Sequence, residues 1–219
     1  MLITGGTGGL GVAVVEAFLR GGWRVVVPYV AGHGRELLPD AAEAVEADLT
    51  DPDDAARAVR VAASEDGAPL RAVANLVGGF AAGQPVADTP LPDFEAMFRL
   101  NVRPTYLVTQ CALPRLAAAG GGAIVCVSSR AALEPFAGAA GYAASKAAVL
   151  AFARTVAREG APDGVRCNVI VPSMIATPKE RAASPGAVDR MVSPEHIASV
   201  IRFLCDDESA ALNGAVLPV

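Results

Sequence analysis

Tyr142 and Lys146 stand four residues apart in Gly141-Tyr142-Ala143-Ala144-Ser145-Lys146, and Ser128-Ser129 lies shortly upstream. Residues 143–158 are rich in Ala, Val, Leu and Phe and contain no Gly or Pro, which predicts a buried helix. Four residues make about one helical turn, so both side chains leave one face near the helix start. That pair can do acid–base chemistry. A free phenol titrates at ~10 and is a poor base at neutral pH. Bringing it to about 7 takes about 4 kcal/mol in favour of the phenolate. One ammonium about 4 Å away supplies that much at an effective dielectric near ~20. Lys146 is therefore expected to lower the Tyr142 pKa and make the phenol a proton donor and acceptor. A satisfied hydroxyl beside a solvated amine would share this spacing, so the pair needs context.

Other chemistries have little to work with. His33 and His196 are the only histidines and neither has a metal-like neighbour, so a histidine triad or histidine metal site is not expected. Cys111, Cys126, Cys167 and Cys205 sit singly in apolar segments without Cys-x-x-Cys spacing, and read as buried free thiols. No metal site is predicted.

The elements that must position the pair follow in order. Met1-Leu2-Ile3 ends a first strand and feeds Thr4-Gly5-Gly6-Thr7-Gly8-Gly9-Leu10-Gly11, after which 12–20 is helical. Strand, glycine turn and helix N-terminus make an anion site, because free N–H groups and the helix dipole face the ligand. Two glycine registers fit: Gly6-x-Gly8-x-x-Gly11, and Gly5-x-x-x-Gly9-x-Gly11. Residues 23–29 form a second strand ending Pro28-Tyr29-Val30, with no acid to meet a ribose 2′-hydroxyl. Arg35 and His33 follow, so the choice leans towards NADP. A third strand at 44–47 ends at Asp48-Leu49, where Asp48 could meet an adenine or cap the next helix.

The fourth strand, 71–77, runs into Gly78-Gly79-Phe80, whose glycines let the backbone approach a ligand. Residues 93–119 read as one long apolar helix, kinked near Asn101 by Pro104. The amide of Asn101 could leave carbonyls free to hold a water, or bond them itself. A fifth strand, 123–127, delivers Ser128-Ser129; a sixth, 165–171, leads to Pro172-Ser173-Met174-Ile175-Ala176-Thr177. Residues 178–192 look like a short mobile lid, and a last helix and a closing strand end the chain. This alternation predicts a single α/β domain over 1–219: a doubly wound, mainly parallel Rossmann-type sheet of about seven strands with helices on both faces. Its dinucleotide-binding half would be about 1–90, and its catalytic and substrate half about 91–219.

Composition agrees. At 53% hydrophobic and 19% charged residues, the chain suits a well-packed enzyme. A net charge of −5 argues against nucleic acid or an anionic membrane as partner. No apolar run is long enough to span a bilayer, and the N-terminus lacks a signal-peptide pattern, so a cytoplasmic location is expected.

With Thr4–Gly11, Asn75-x-x-Gly78, Asn101, Ser128-Ser129 and Tyr142-x-x-x-Lys146 in order over nearly its full length, the chain resembles the short-chain dehydrogenase/reductase family. The resemblance implies an NAD(P)(H)-dependent oxidoreductase acting on a carbonyl or secondary alcohol. It places Gly5, Gly9 and Gly11, with Thr7 and Leu10, at the pyrophosphate. It puts Tyr29, Asp48 and Leu49 on the adenosine side, and Asn75, Gly78, Pro172, Ile175 and Thr177 on the nicotinamide side. It makes Tyr142 the general acid/base, Lys146 its cation and a ribose contact, Ser129 the group that orients the substrate oxygen, and Asn101 the support of a water relay. Gly79, Phe80, Arg130, Phe136 and Met174 would line the substrate pocket.

Three other readings compete. The short lid and Gly78-Gly79-Phe80 also resemble the dihydropteridine-reductase branch. A non-catalytic dinucleotide-binding regulator would have no use for the full Asn/Ser/Tyr/Lys set. A sugar-nucleotide epimerase or dehydratase would need a larger C-terminal domain than 219 residues allow. Finally, the helices holding Asn101 and Tyr142 look apolar around most of their circumference, which predicts a homodimer or homotetramer packed through 149–157 and 106–113.

Overall fold

Short β-branched and Ala-rich runs, each too brief to stand alone, form the central strands, buried on both faces, of the computed structural model, which describes residues 1–64 and 68–219. Strands β1 (Leu2–Thr4), β2 (Val26–Tyr29), β3 (Glu43–Glu46), β4 (Ala72–Asn75), β5 (Gly122–Val127), β6 (Val165–Val171) and β7 (Val216–Pro218) form one sheet. Its order is β3-β2-β1-β4-β5-β6-β7, and every pairing is parallel. The expected doubly wound α/β sheet of seven strands is what the chain forms.

Because strand side chains alternate between faces, two cores result. Leu2, Val26, Val73, Ile124 and Val169 face helices α2 (Pro52–Ala62), α4 (Arg103–Ala118) and α5 (Ala140–Gly160). Ile3, Val27, Ala74, Val125 and Ile170 face α1 (Gly9–Arg20) and α7 (Pro194–Cys205). Ile197, Ile201 and Leu204 of α7 are fully buried, each contributing about 2 kcal/mol through area removed from water.

Four sequence expectations change. The helix expected over 93–119 is two helices, α3 (Leu91–Asn101) and α4, broken at Val102. Pro104 has no N–H for the carbonyl one turn back, and the Asn101 amide bonds outside the helix, so the turn between them opens. Asp48 does not cap α2. Asp51 does, accepting from the Asp53 and Asp54 N–H groups, while Asp48 accepts from the Thr50 N–H and hydroxyl. The lid segment is helical: α6 (Pro178–Ala183) is followed by a 3-10 stretch, Pro185–Arg190. Its base is closed by Ala176 N–H to Val192 O (2.8 Å) and Val192 N–H to Met174 O (2.9 Å).

The fourth change concerns the outer helix faces. Val149 is only 1% exposed within the single chain, so it belongs to the core and not to a free surface. Beyond it α5 exposes Arg154, Thr155, Arg158 and Glu159. The apolar side chains left exposed or half-buried on these helices include Tyr106, Leu107, Leu113, Ala147, Ala151 and Phe152, with the Tyr106 and Phe152 rings 5.9 Å apart.

Candidate active site

The sheet order reverses direction between β1 and β4, and in such sheets the crevice beyond these strand ends is where ligands bind. Thr4, the last residue of β1, holds that crevice: its hydroxyl accepts from the N–H groups of Leu76 (3.0 Å) and Val77 (3.3 Å). Gly5 follows at φ +66°, and a Cβ there would lie 3.0 Å from the Val77 nitrogen. A Cβ on Gly11 would lie 2.1 Å from the Gly5 carbonyl oxygen, and one on Gly9 would lie 2.8 Å from Thr177 Cβ. Gly5, Gly6, Gly9 and Gly11 are thus all required by close approach, Gly6 by Val27 Cγ1 of β2 at 2.5 Å, while a Cβ on Gly8 would lie 3.3 Å from the Gly5 oxygen.

Gly8 begins α1 with no side-chain cap, and the first turn carries no acid. A phosphate-bearing ligand fits this end: exposed glycines, helix N–H groups and no competing carboxylate. Around it, the loop after β2 folds back so that a Cβ on Gly34 would lie 2.8 Å from Thr7 Cβ, which brings His33 and Arg35 near the turn. The His33 Nδ1 is 2.8 Å from the Ala31 oxygen, and Arg35 is exposed. Tyr29, at the end of β2, is partly buried; Leu10 and Leu49 put their side chains into the two cores and leave only backbone to a ligand.

The second half of the site is one hydrogen-bonded network. The Gly79 N–H donates to Asn101 Oδ1 (2.8 Å), Asn101 Nδ2 donates to Ser145 Oγ (2.9 Å), and Ser145 Oγ donates to the Tyr142 carbonyl (2.8 Å). The Asn101 amide therefore does not bond the backbone carbonyls near the break, and the Asn101 backbone carbonyl accepts from Thr105 Oγ1 at 3.2 Å. Ser128 Oγ donates to the Lys146 carbonyl (2.8 Å), and Lys146 Nζ donates to the Val127 carbonyl (3.1 Å). A Cβ at Gly78 would meet Asn101 Oδ1 at 2.7 Å and Lys146 Nζ at 2.9 Å, so only glycine admits this convergence. Ser129 accepts the Ala131 N–H at 3.2 Å, while Arg130 N–H to Pro172 O (3.0 Å) ties its loop to the end of β6.

The electrostatics differ from the sequence expectation. Burial raises the Tyr142 phenol above its usual value, the Ser129 side chain opposes this by a hydrogen bond, and Glu180 adds to the rise. Lys146 is not among the groups that shift it in the ligand-free chain, where the ammonium donates to the Val127 carbonyl. Burial also brings Lys146 itself from 10.5 to about 8, with Cys126 acting weakly in the other direction. Burial thus favours the protonated phenol in the ligand-free chain.

Asn75 takes a different place from the one expected. Its Nδ2 donates to Thr109 Oγ1 (3.1 Å) and lies 3.8 Å from Cys126 Sγ, and its buried Oδ1 has no partner. The side chain braces β4 against α4 from behind the crevice. Ile175 packs half-buried against the α1–α7 core, and Thr177 caps α6 through the Glu180 N–H. On the substrate side, the Phe80 ring meets Tyr142 edge-on at 4.9 Å, and Phe136 lies 6.4 Å from Phe80. Arg130 and Met174 are exposed.

Sequence reasoning missed Ser145, Ser128 and the Thr4 hydroxyl as positioning groups. Ser145 had a signal, since it lies three residues after Tyr142 and so on the same helix face. A separate cavity of about 540 Å³ lies by the N-terminal ends of β5 and β6, lined by Trp23, Arg71, Arg166 and Asp206. Its Arg166 guanidinium is engaged by the carbonyls of Leu204, Asp206, Ser209 and Leu212.

A glycine turn at a parallel-sheet switch point, beside a largely buried Tyr/Lys/Ser/Asn cluster, marks a doubly wound α/β protein with its crevice at the switch point. The family model described as short chain dehydrogenase matches residues 1–187, and the chain belongs to the short-chain dehydrogenase/reductase family of oxidoreductases. It is 30% identical to 2-(R)-hydroxypropyl-CoM dehydrogenase of Xanthobacter autotrophicus, over 99% of this chain and 94% of that protein. A short-chain type dehydrogenase/reductase from Mycobacterium ulcerans has the same fold, with a TM-score of 0.91 at 27% identity, covering 100% of this chain and 86% of that one. ElxO, solved with NADP bound, is similar in fold at a TM-score of 0.91 and 23% identity, covering 100% of this chain and 95% of that one. No helix among the described residues is long and apolar enough to cross a membrane.

Proposed function

We propose that this chain is a nicotinamide-dinucleotide-dependent oxidoreductase that interconverts a small carbonyl compound, ketone or aldehyde, and the corresponding alcohol, with Tyr142 as general acid/base. The observation that carries this is the network joining Gly79, Asn101, Ser145, Tyr142, Ser128 and Lys146 at the crevice mouth, next to the glycine turn. When bound, the dinucleotide supplies a hydride in its reduced form or takes one up in its oxidised form. The protein's part is orientation and proton transfer. The backbone of Gly5–Gly11 and the start of α1 hold the pyrophosphate, and Thr177 stands against Gly9 on the nicotinamide side. Ser129 bonds the substrate oxygen and sets it against the Tyr142 hydroxyl, which donates its proton as the carbonyl is reduced and takes one back in oxidation. Asn101 and Ser145 fix the start of α5, so that Tyr142 does not move during transfer. A binder without turnover would not need a buried proton donor and lysine together.

Cofactor choice is proposed to favour NADP, from the absence of an acid at Tyr29 and the nearness of the His33–Arg35 loop to Thr7. NADPH is expected to bind at least as tightly as NADH, and Tyr29→Asp to reverse the order by placing a negative charge beside the 2′-phosphate. Titration of both dinucleotides, with loss of reduced-nicotinamide absorbance against a panel of carbonyls, tests cofactor and activity together. A strong NADH preference in the unaltered protein would overturn the cofactor choice; absent turnover would overturn the reaction.

The chain is further proposed to be cytoplasmic and a homodimer or homotetramer, packed through the Tyr106–Phe152 patch of α4 and α5. Tyr106 is 46% exposed, so Tyr106→Arg alters the patch without entering the core. Sedimentation at micromolar concentration should show an oligomer that this variant weakens. A monomeric unaltered protein refutes the assembly.

A further inference from the structure

Phe80 and Phe136 are 61% and 51% exposed, and an exposed apolar patch of this kind points to binding. Neither sits on an unattached loop. The Gly79 N–H is fixed on Asn101 Oδ1 at 2.8 Å, and a Cβ at Gly79 would lie 2.4 Å from Leu100 Cδ2, so the backbone leading into Phe80 is pressed against α3. The two loops are also joined to each other, by Gly83 N–H to Gly138 O at 2.9 Å. The rings form a series. Phe80 stands at 86° to Tyr142 with centroids 4.9 Å apart, and Phe136 is tilted at 37° to Phe80 at 6.4 Å. An aromatic wall thus starts at the proton donor and runs outward between two tied loops. Because it starts there, it contacts whatever is bonded directly to the reacting carbon, not a remote tail. Hydroxyls placed against it would lose water partners and gain none. An aromatic ring would gain both buried area and edge-to-face contact.

We infer that the substrate carries an aromatic ring on the reacting carbon: an aryl aldehyde, an aryl ketone or the corresponding benzylic alcohol, its ring seated against Phe80 and Phe136. This rests on the oxidoreductase reading above. With the reduced dinucleotide, kcat/KM should be about 30-fold or more higher for benzaldehyde than for glyceraldehyde, from burial of a ring. It should be about 3- to 10-fold higher for benzaldehyde than for cyclohexanecarbaldehyde, the part due to aromatic contact. Phe80→Leu should lower the benzaldehyde-to-glyceraldehyde ratio of kcat/KM about 10-fold, with the dinucleotide Kd within about two-fold. Equal or better turnover of glyceraldehyde, or an unchanged ratio in Phe80→Leu, overturns the inference. A binding measurement separates it from the reaction itself. Acetophenone is titrated calorimetrically into the protein with oxidised dinucleotide present, and its affinity should fall about 10-fold in Phe80→Leu. If no carbonyl is reduced but acetophenone binds and depends on Phe80, the oxidoreductase reading fails and the aryl site stands. If acetophenone does not bind, the aryl site is wrong whatever is turned over.

Discussion

Tyr142→Phe is expected to lower kcat by about 10²- to 10⁴-fold, the range over which a positioned general acid contributes. The change removes one hydroxyl and keeps the ring, so the edge-on contact with Phe80 and the packing of α5 remain. Folding should be unaffected for the same reason: the tyrosine's carbonyl, not its hydroxyl, accepts from Ser145 and anchors the network. The dinucleotide Kd should stay within about two-fold, since the lost group faces the substrate oxygen. Stopped-flow reduction of a turned-over carbonyl gives kcat, and fluorescence titration gives Kd. An unchanged kcat would remove Tyr142 from the mechanism and with it the proposed reaction.

Lys146→Met should cost turnover to a similar degree and weaken the dinucleotide as well, through an effect legible in its pH dependence. In the ligand-free chain Lys146 is only 6% exposed, and burial brings its pKa from 10.5 to about 8. That difference corresponds to about 3 kcal/mol against the charged form. The sign follows from linkage: between pH 8 and 10.5 the unfolded chain binds more protons than the folded one, so this contribution to stability improves as pH rises. Below about pH 8 the penalty is fully present, and Lys146→Met removes it. The variant should therefore melt no lower than the parent at pH 7, which separates a chemical defect from a folding one. A bound dinucleotide gives the ammonium acceptors that burial denies it, so binding should raise its pKa and take up a proton. Affinity in the parent is then expected to fall as pH climbs through about 8, and in Lys146→Met to be flat. A parent Kd that is constant from pH 7 to 9.5 would show that Lys146 does not face the ligand.

Three of the four thiols, those of Cys126, Cys167 and Cys205, are buried in the packed core. Cys205 is pushed up to about 12 by burial, and a hydrogen bond between the free thiols of Cys126 and Cys167 on neighbouring strands lowers the first and raises the second. These cysteines are packing groups, as their isolated spacing in apolar segments had indicated.

What local pattern determines, the chain states openly. A strand of a few apolar residues, a run of glycines and a helix fix a phosphate-binding turn, because each depends on backbone freedom and on neighbours within about ten residues. The same holds for Tyr142 and Lys146 on one helical face, and for seven strands separated by helices closing into a parallel sheet. Direction across space is another matter. Nothing local shows that Asn75 points back at Thr109 and Cys126, that Lys146 turns to the Val127 carbonyl, or that Thr177 rests on Gly9. Those outcomes depend on contacts dozens of residues away in sequence, set by which strands pair and how helices lean on them. The apolar character of α5 on several sides suggests an outer position for Val149, yet the sheet, α4 and α3 together cover more of the helix than one layer could. The helix break at Val102 likewise needed a partner: Pro104 weakens one turn, but Gly79 and Ser145 supply the bonds that make opening it favourable. Sequence settled which groups could do the chemistry; tertiary packing decided where each one faces, because side-chain direction is fixed by neighbours that the linear order does not reveal.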